Sequence, residues 1–337
     1  MGIPAIQKAA IGSYILKNIC TGNRRFPLVL MLEPLFRCNL KCIGCGKIDY
    51  PEEILKRQLS VEECVDAAME CGAPVVSIPG GEPLLHPDMP RVVEELAKRK
   101  KFVYLCTNAL LVKKRINEFK PSTYLTFNIH LDAMGAQHDK YTGLDGVFDR
   151  AVEAVRLLLS KGFRVTTNTT LFNGETPENA AKLLDFLASL GVEGLTISPG
   201  FDYEKATGGK DQFLEREATK NLFRGIFSLQ NGRKWQFNHS SLYLDFLAGN
   251  QNYSCTPWGN PTKNIFGWQR PCYLLNDSYA QSYRELIEET DWERYGVGKD
   301  PRCSNCMVHC GFEPTAVVDA VRRPLKAMVV SMRGVRT

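Results

Sequence analysis

The sequence predicts an α/β fold: a partial (β/α)6 barrel of parallel strands with a cysteine-rich C-terminal extension. Three observations carry this. Between residues 27 and 200, six strand-like runs, several of them continuously apolar, alternate with helical stretches that have clear starts and stops. Three cysteines, Cys38, Cys42 and Cys45, follow the first run at C-x3-C-x2-C spacing. Gly80-Gly81-Glu82-Pro83 follows the second.

Most of residues 1–26 reads as a helix, with Ile3, Ile6, Ala10, Ile11, Tyr14, Ile15 and Ile19 at helical spacing and Lys8, Lys17, Arg24 and Arg25 on or beyond the other side. A helix docked on the barrel is the simpler reading, and a basic interfacial helix on a membrane the other. Strands are expected at 28–34, 74–79, 102–107, 123–131, 163–170 and 193–199. Between them, Ser60 and Glu63 form a capping box that Gly72 terminates, Gly146 and Gly162 bracket another helix, and Thr176-Pro177 opens one that Gly191 closes. Six such units imply right-handed crossovers and an open barrel.

After residue 200 the pattern changes. A Gly- and Lys-bearing loop over 201–211 leads to helices over 212–230 and 240–248, and from 253 onward Tyr, Trp, Pro, Gly and Cys show little periodicity. That region reads as a small metal-stapled segment separate from the barrel, with a helix over 277–290. The domains expected are 1–26 as the leading helix, 27–210 as the barrel, 211–320 as an auxiliary-metal domain and 321–337 as a basic tail, in which Pro324 breaks any continuous helix.

The chain has 337 residues, 44% hydrophobic and 23% charged, with a net charge of +5. This is an ordinary globular composition, and so mild a charge gives no reason to expect a nucleic-acid partner. No apolar run has the length of a membrane span, and the first residues lack the order of a secretory signal. Twelve cysteines in clusters suit metal ligation in a reducing compartment, so a cytoplasmic location is expected.

Three closely spaced thiolates suit three irons of a [4Fe–4S] cube and leave the fourth iron open. A structural zinc site would ask for a fourth ligand, and none lies nearby in the sequence. Together with Gly80, Gly81, Glu82 and Pro83, this triplet resembles the radical S-adenosylmethionine (SAM) superfamily. The resemblance implies that the open iron binds SAM and that the glycine motif meets its ammonium group. In such architectures ligands sit at the C-terminal ends of the strands. Thr107-Asn108, His130 to Asp132, Asn168 to Thr170 and Ser198-Pro199 occupy those ends, and Asn108, His130, Asn168 and Ser198 are the candidate SAM and substrate contacts.

Cys255 and Cys272, with Gly267 between them, resemble the opening of the SPASM or twitch auxiliary-cluster domains; Cys303, Cys306 and Cys310 follow at a spacing that departs from the full SPASM pattern. One further [4Fe–4S] cluster is expected from Cys255, Cys272 and two or three of the later triplet, with a zinc staple as the alternative. His309 reads as a surface neighbour. Cys20 lies in the leading helix, and Cys64 and Cys71 read as small core residues. Cys106 differs, because it lies near the C-terminal end of the third strand, where alternate side chains enter the barrel; it is the candidate hydrogen-atom donor.

The segments 1–8, 37–47, 77–84 and 126–132 and the C-terminal cysteine region also resemble the adenosylhopane synthases of hopanoid biosynthesis. That resemblance implies addition of the 5′-deoxyadenosyl radical to the terminal alkene of hopene, with hydrogen donation at the position of Cys106. It implies hopene and SAM as partners, an electron donor such as flavodoxin or ferredoxin, and peripheral contact with the inner face of a membrane. An apolar cleft is then required; the aromatic segment from Phe223 to Phe246 and the N-terminal helix are its candidate walls, and the stretch 316–335 could lie on anionic lipid. Two other readings remain: a SPASM-type peptide-modifying enzyme, and an iron–sulfur electron carrier without catalysis.

Overall fold

The structure, a computed structural model, describes residues 3–201 and 210–337; most of the loop expected over 201–211 and the first two residues lie outside them. Six parallel strands form the frame: β1 (Val29–Glu33), β2 (Val75–Ile78), β3 (Phe102–Thr107), β4 (Leu125–His130), β5 (Arg164–Leu171) and β6 (Gly194–Pro199). Each falls within two residues of its expected bounds. They lie in sequence order and pair only with their neighbours, from Val29↔Val75 at one side to Leu171↔Pro199 at the other, as right-handed βα crossovers demand.

The strands alternate. Val76, Ile78, Val103, Leu105, Phe127, Ile129, Val165 and Ile197 are buried in one apolar core with Val65, Val92, Val155 and Leu184 from the covering helices. Each such burial contributes roughly 1.5–3 kcal/mol. The intervening residues are polar: Ser77, Cys106, Asn128 and Thr166 bond to one another across four successive strands, so they share the inner face.

The helix punctuation read from sequence is present. Ser60 and Glu63 make the reciprocal capping box of the helix Val61–Cys71, and Gly72 ends it with φ of 74°. Thr176 accepts from the Asn179 amide, with Pro177 opening the helix. The leading helix, Ala5–Cys20, docks: Ile15 is buried with Phe26 and Leu28, against Val317, Val318 and Val321. Its Gln7 amide donates to the Tyr104 hydroxyl at 3.0 Å, two residues before Cys106 on the same strand.

Three expectations are corrected and one is filled in. The C-terminal segment does continue the barrel sheet. β7 (Thr262–Asn264) pairs parallel with the free edge of β1, β8 (Gly267–Pro271) antiparallel with β7, and β9 (Asn276–Ala280) antiparallel with β8. The helix expected over 277–290 therefore begins only at Tyr283, because 276–280 pair with β8. Strands of three to five residues have too few alternations to read, and their partners supply the register.

The aromatic stretch is core and not an open wall: Phe223, Phe227, Trp235, Tyr243 and Phe246 are all buried, with the Trp235 indole donating to Asp185 at 2.8 Å. Finally, the 321–337 stretch is largely helical. After the helix His309–Arg322 the chain bends at Arg323, and Pro324 opens the helix Pro324–Arg333 as its first residue, the one helical position that needs no N–H. That helix returns against Ser241–Leu247 through Val330.

Candidate active site

The loop after β1 carries the first cysteine group. Cys38, Cys42 and Cys45 are half-buried, and the loop around them is fastened at several points. The Ile43 amide donates to the Tyr141 carbonyl at 2.8 Å, and the Cys45 amide to the Cys42 carbonyl at 3.2 Å. Two residues on, the Lys47 ammonium bonds to the buried Glu33 carboxylate of β1 at 2.9 Å, and lies 4.7 Å from the centre of the Tyr273 ring. Removing one partner of such a buried pair costs about 3–5 kcal/mol.

Burial pushes the Cys38 thiol up to about 11 and raises Cys42 and Cys45 as well, each with help from neighbouring acidic groups. Three soft donors that are this costly to ionise by themselves suit a cationic metal core that holds them as thiolates. Among the described residues no three His, Cys, Asp or Glu side chains converge as ligands of one metal ion. A cube places each thiolate on a different iron and does not ask for that convergence.

The loop after β2 lies directly on this one. Gly81 donates its amide to the Leu35 carbonyl at 2.9 Å, and Glu82 to the Arg37 carbonyl at 2.8 Å. A Cβ at Gly81 would stand 2.1 Å from the Arg37 carbonyl oxygen and 2.4 Å from that of Phe36; at Gly80, where φ is 61°, it would stand 2.7 Å from the Leu35 oxygen. The glycines thus bring the motif against the cysteine-loop backbone. The Glu82 carboxylate, 1% exposed, is turned inward. It accepts from Thr107 at 2.7 Å, the Asn108 amide at 2.9 Å and the Leu84 amide at 3.0 Å. Burial outweighs these bonds and holds its pKa at about 7. Its bonds go to the chain itself and not to an outward-facing ligand position. Pro83 is buried and opens the short turn Pro83–Leu85.

Asn108 completes the convergence. Its side-chain amide donates to Asn39 at 2.7 Å and reaches the Cys38 sulfur at 3.8 Å. His130 and Asn168 face each other in register on β4 and β5. The His130 ring meets the Asp132 carboxylate at 2.5 Å; burial opposes the imidazolium, yet Asp132, joined by Glu82, raises the His130 pKa overall. Asp132 is itself held by the Thr170 amide at 2.7 Å. Ser198 does not join this group. It is buried beside the C-terminal helix, 3.3 Å from the His309 ring. His309 is partly exposed, and desolvation together with the neighbouring His239 drives its pKa down to about 3.

Cys106 lies inside the barrel. Its sulfur is 3.4 Å from the Ser77 hydroxyl and 3.5 Å from the Asn128 side-chain nitrogen, and burial raises its pKa despite those two bonds. At neutral pH it keeps its proton. Sequence reading did not assign Ser77 or Asn128 as its partners. The available sign was polar residues alternating with apolar ones in the strands, Ser77 in Val75-Val76-Ser77-Ile78 and Asn128 between Phe127 and Ile129.

The second cysteine group surrounds a single cavity. Cys255, Cys272, Cys303, Cys306 and Cys310 line one apolar cavity with Phe201, Leu274 and Phe312. Burial raises the pKa of every one of them, and like-charge neighbours within the group add to the effect for Cys255, Cys272, Cys306 and Cys310. Gly311 leaves room here, since a Cβ would stand 2.5 Å from the Cys255 sulfur. The Arg216 guanidinium donates to the Cys306 carbonyl at 2.8 Å. Cys64 and Cys71 are buried in the core as expected.

A parallel α/β frame with a cysteine loop and a glycine motif at its strand ends defines a class: an α/β barrel with its candidate site at the C-terminal ends of the strands. Comparison with known proteins gives the family. Residues 32–187 match the radical SAM superfamily, and 195–330 match a domain of unknown function, DUF3463. Residues 32–187 thus form a radical SAM domain, and that superfamily uses a [4Fe–4S] cluster and SAM.

Its relatives include a probable GTP 3′,8-cyclase of Methanococcus maripaludis, 22% identical over 77% of this chain and 90% of that one. The subtilosin biosynthesis protein AlbA of Bacillus subtilis is 29% identical over 85% of this chain and 66% of its own. Among solved structures, Streptococcus suis SuiB bound to SAM superposes with a TM-score of 0.62 at 18% identity, covering 75% of this chain and 62% of that one. None of these three is an adenosylhopane synthase. No helix of the described residues is long and apolar enough to cross a membrane.

Replacing Gly81 by Ala drives a methyl group into two fixed carbonyls. We expect the variant to lose several degrees of melting temperature, with loss of iron uptake on reconstitution, while the distant Gly12→Ala, which meets nothing within 4 Å, keeps both. Calorimetry and iron analysis check this.

Proposed function

We propose that this chain adds the 5′-deoxyadenosyl group of SAM to the terminal alkene of hopene, forming a C–C bond in hopanoid lipid biosynthesis. The reading is supported above all by Cys106, a protonated thiol inside the barrel with Ser77 and Asn128 on either side. A bond-forming addition to an alkene leaves a carbon radical that must be quenched, and an S–H bond is weak enough to do so. It is also supported by the segments that resemble the adenosylhopane synthases.

In this reading Cys38, Cys42 and Cys45 hold the cluster, with one iron left for SAM. A cluster held there would supply the one electron that cleaves SAM into methionine and the 5′-deoxyadenosyl radical. The backbone of Gly80 to Pro83 offers acceptors to the SAM ammonium, while the Glu82 carboxylate braces that backbone from beneath. Asn108 steadies the cysteine loop through Asn39, and His130 and Asn168 face the adenosyl moiety from β4 and β5. Ser198 orients the C-terminal helix through His309.

Once the new bond has formed at the CH2 end of the alkene, Cys106 delivers a hydrogen atom to the tertiary carbon. One electron and one proton then restore its thiol, the electron coming from a flavodoxin- or ferredoxin-type donor. Delivery from one fixed side sets the stereochemistry. Cys255, Cys272 and two or three of Cys303, Cys306 and Cys310 would hold a second [4Fe–4S] cluster. A triterpene substrate requires the enzyme to meet a membrane surface.

The comparisons speak for a second reading, a SPASM-type peptide-modifying enzyme. SuiB has been solved with its precursor peptide, at a TM-score of 0.65, and AlbA belongs to bacteriocin biosynthesis. The deciding experiment incubates anaerobically reconstituted protein with SAM, reductant and detergent-dispersed hopene, with mass spectrometry as readout. A product equal to hopene plus deoxyadenosyl plus hydrogen supports the first reading. Free deoxyadenosine without that adduct overturns it and returns the substrate to peptides.

Two outcomes follow from the residue roles. Cys38→Ala, Cys42→Ala or Cys45→Ala should each abolish deoxyadenosine formation; retention of normal turnover would remove the cluster assignment. Cys106→Ala should still couple the adenosyl group but lose stereochemical purity at the new centre, as chiral chromatography of the product would report. A single unchanged stereoisomer would leave Cys106 a packing residue.

A further inference from the structure

The helix Pro324–Arg333 carries an apolar face turned away from the protein. Leu325 is 72% exposed, Met328 51%, Val329 49% and Met332 71%. Their spacing of i, i+3, i+4 and i+7 puts all four on one narrow stripe of the helix. The opposite side does the packing. Val330 is buried, Ala327 accepts from the Ser241 hydroxyl at 3.3 Å, and the Lys326 ammonium bonds to Asp319 at 2.9 Å. A helix in a globular protein normally turns such a stripe inward, and contiguous exposed apolar surface of this kind marks an interaction site.

Charge selects the occupant. Residues 320–337 contain Arg322, Arg323, Lys326, Arg333 and Arg336 and no Asp or Glu. Arg323 and Lys326 share Asp319, and Arg333 reaches Asp245 at 3.4 Å, while Arg322 and Arg336 are exposed. A second copy docked on this face by a twofold axis would bring like charges together, which disfavours it. An anionic bilayer satisfies both features: the apolar stripe enters the acyl boundary while arginines meet lipid phosphates.

We propose that the helix Pro324–Arg333 is a membrane-docking element that lies in the plane of an anionic lipid surface. Leu325, Met328, Val329 and Met332 insert, and Arg322 and Arg336 contact the headgroups. The proposal deepens the triterpene reading, since it names the surface that reaches a bilayer-held substrate, but its own argument rests on this helix alone.

The test is co-sedimentation of the full chain with phosphatidylcholine vesicles, with and without phosphatidylglycerol. Binding should require the anionic lipid and fall as salt is raised. The double variant Leu325→Ser with Met332→Ser should bind about tenfold more weakly while keeping its melting temperature and its SAM cleavage in detergent. Equal binding to neutral and anionic vesicles, or undiminished binding by the variant, overturns the proposal. So does a wild-type dimer that the variant disperses, which would assign the face to a second copy. Lipid binding as expected with no hopene adduct leaves the docking element standing and sinks only the substrate reading; an adduct made by a chain blind to vesicles does the reverse.

Discussion

The closest approach in the molecule's working end is that of Gly80 and Gly81 to the carbonyls of Leu35, Phe36 and Arg37. Two backbones come within reach only because neither glycine has a Cβ, and the resulting amide–carbonyl bonds lock the loop after β2 onto the loop after β1. Glu82 extends the lock to β3 through Thr107 and Asn108. Three bonds of roughly 1 kcal/mol each do not fully offset the desolvation of a buried carboxylate, which is why its pKa sits near 7. The balance is tolerable because the same three loops carry Cys38, Cys42, Cys45 and Asn108. Their placement depends on this contact, and Lys47 on Glu33 fastens the far side of the cysteine loop.

The strands divide labour by parity. Outward residues are apolar and bury the covering helices; inward ones form a polar row in which Ser77, Cys106, Asn128 and Thr166 satisfy one another. The Cys106 thiol in that row is partly buried, and desolvation raises its pKa and keeps it protonated, the state from which a hydrogen atom can be given. The helix Ala5–Cys20 reaches the same row from below through Gln7 and Tyr104. Its docking is therefore a matter of barrel packing, and lipid contact is argued from the helix Pro324–Arg333 instead.

The two cysteine groups belong to one continuous piece of structure. β7 adds to β1, the strand that feeds the first group, and β8 ends one residue before Cys272 of the second. Lys47, two residues after Cys45, lies against the ring of Tyr273, the residue after Cys272. From the other side, the Ser198 and His309 contact joins the end of β6 to the helix that carries Cys310. The C-terminal region is in this sense an extension of the barrel sheet.

Much was legible in the sequence because it was local. The six barrel strands, the capping box at Ser60, the proline start at Pro177 and the triplet of Cys38, Cys42 and Cys45 are set by residues a few positions apart, through period, propensity and ligand spacing. The core identity of Cys64 and Cys71 and the inward position of Cys106 followed from the same periodicities. What only the tertiary structure decided depends on partners far along the chain. β7 to β9 are too short to declare themselves and take their form from the open edge of β1. That Ser198 meets the His309 ring, 111 residues later, could not be read from its own neighbourhood. The aromatic run from Phe223 to Phe246 reads as a cleft wall, and packing made most of its rings core. Periodicity can say that a helix has an apolar face, but which neighbour covers that face, or that none does at Leu325 and Met332, is settled only when distant segments meet.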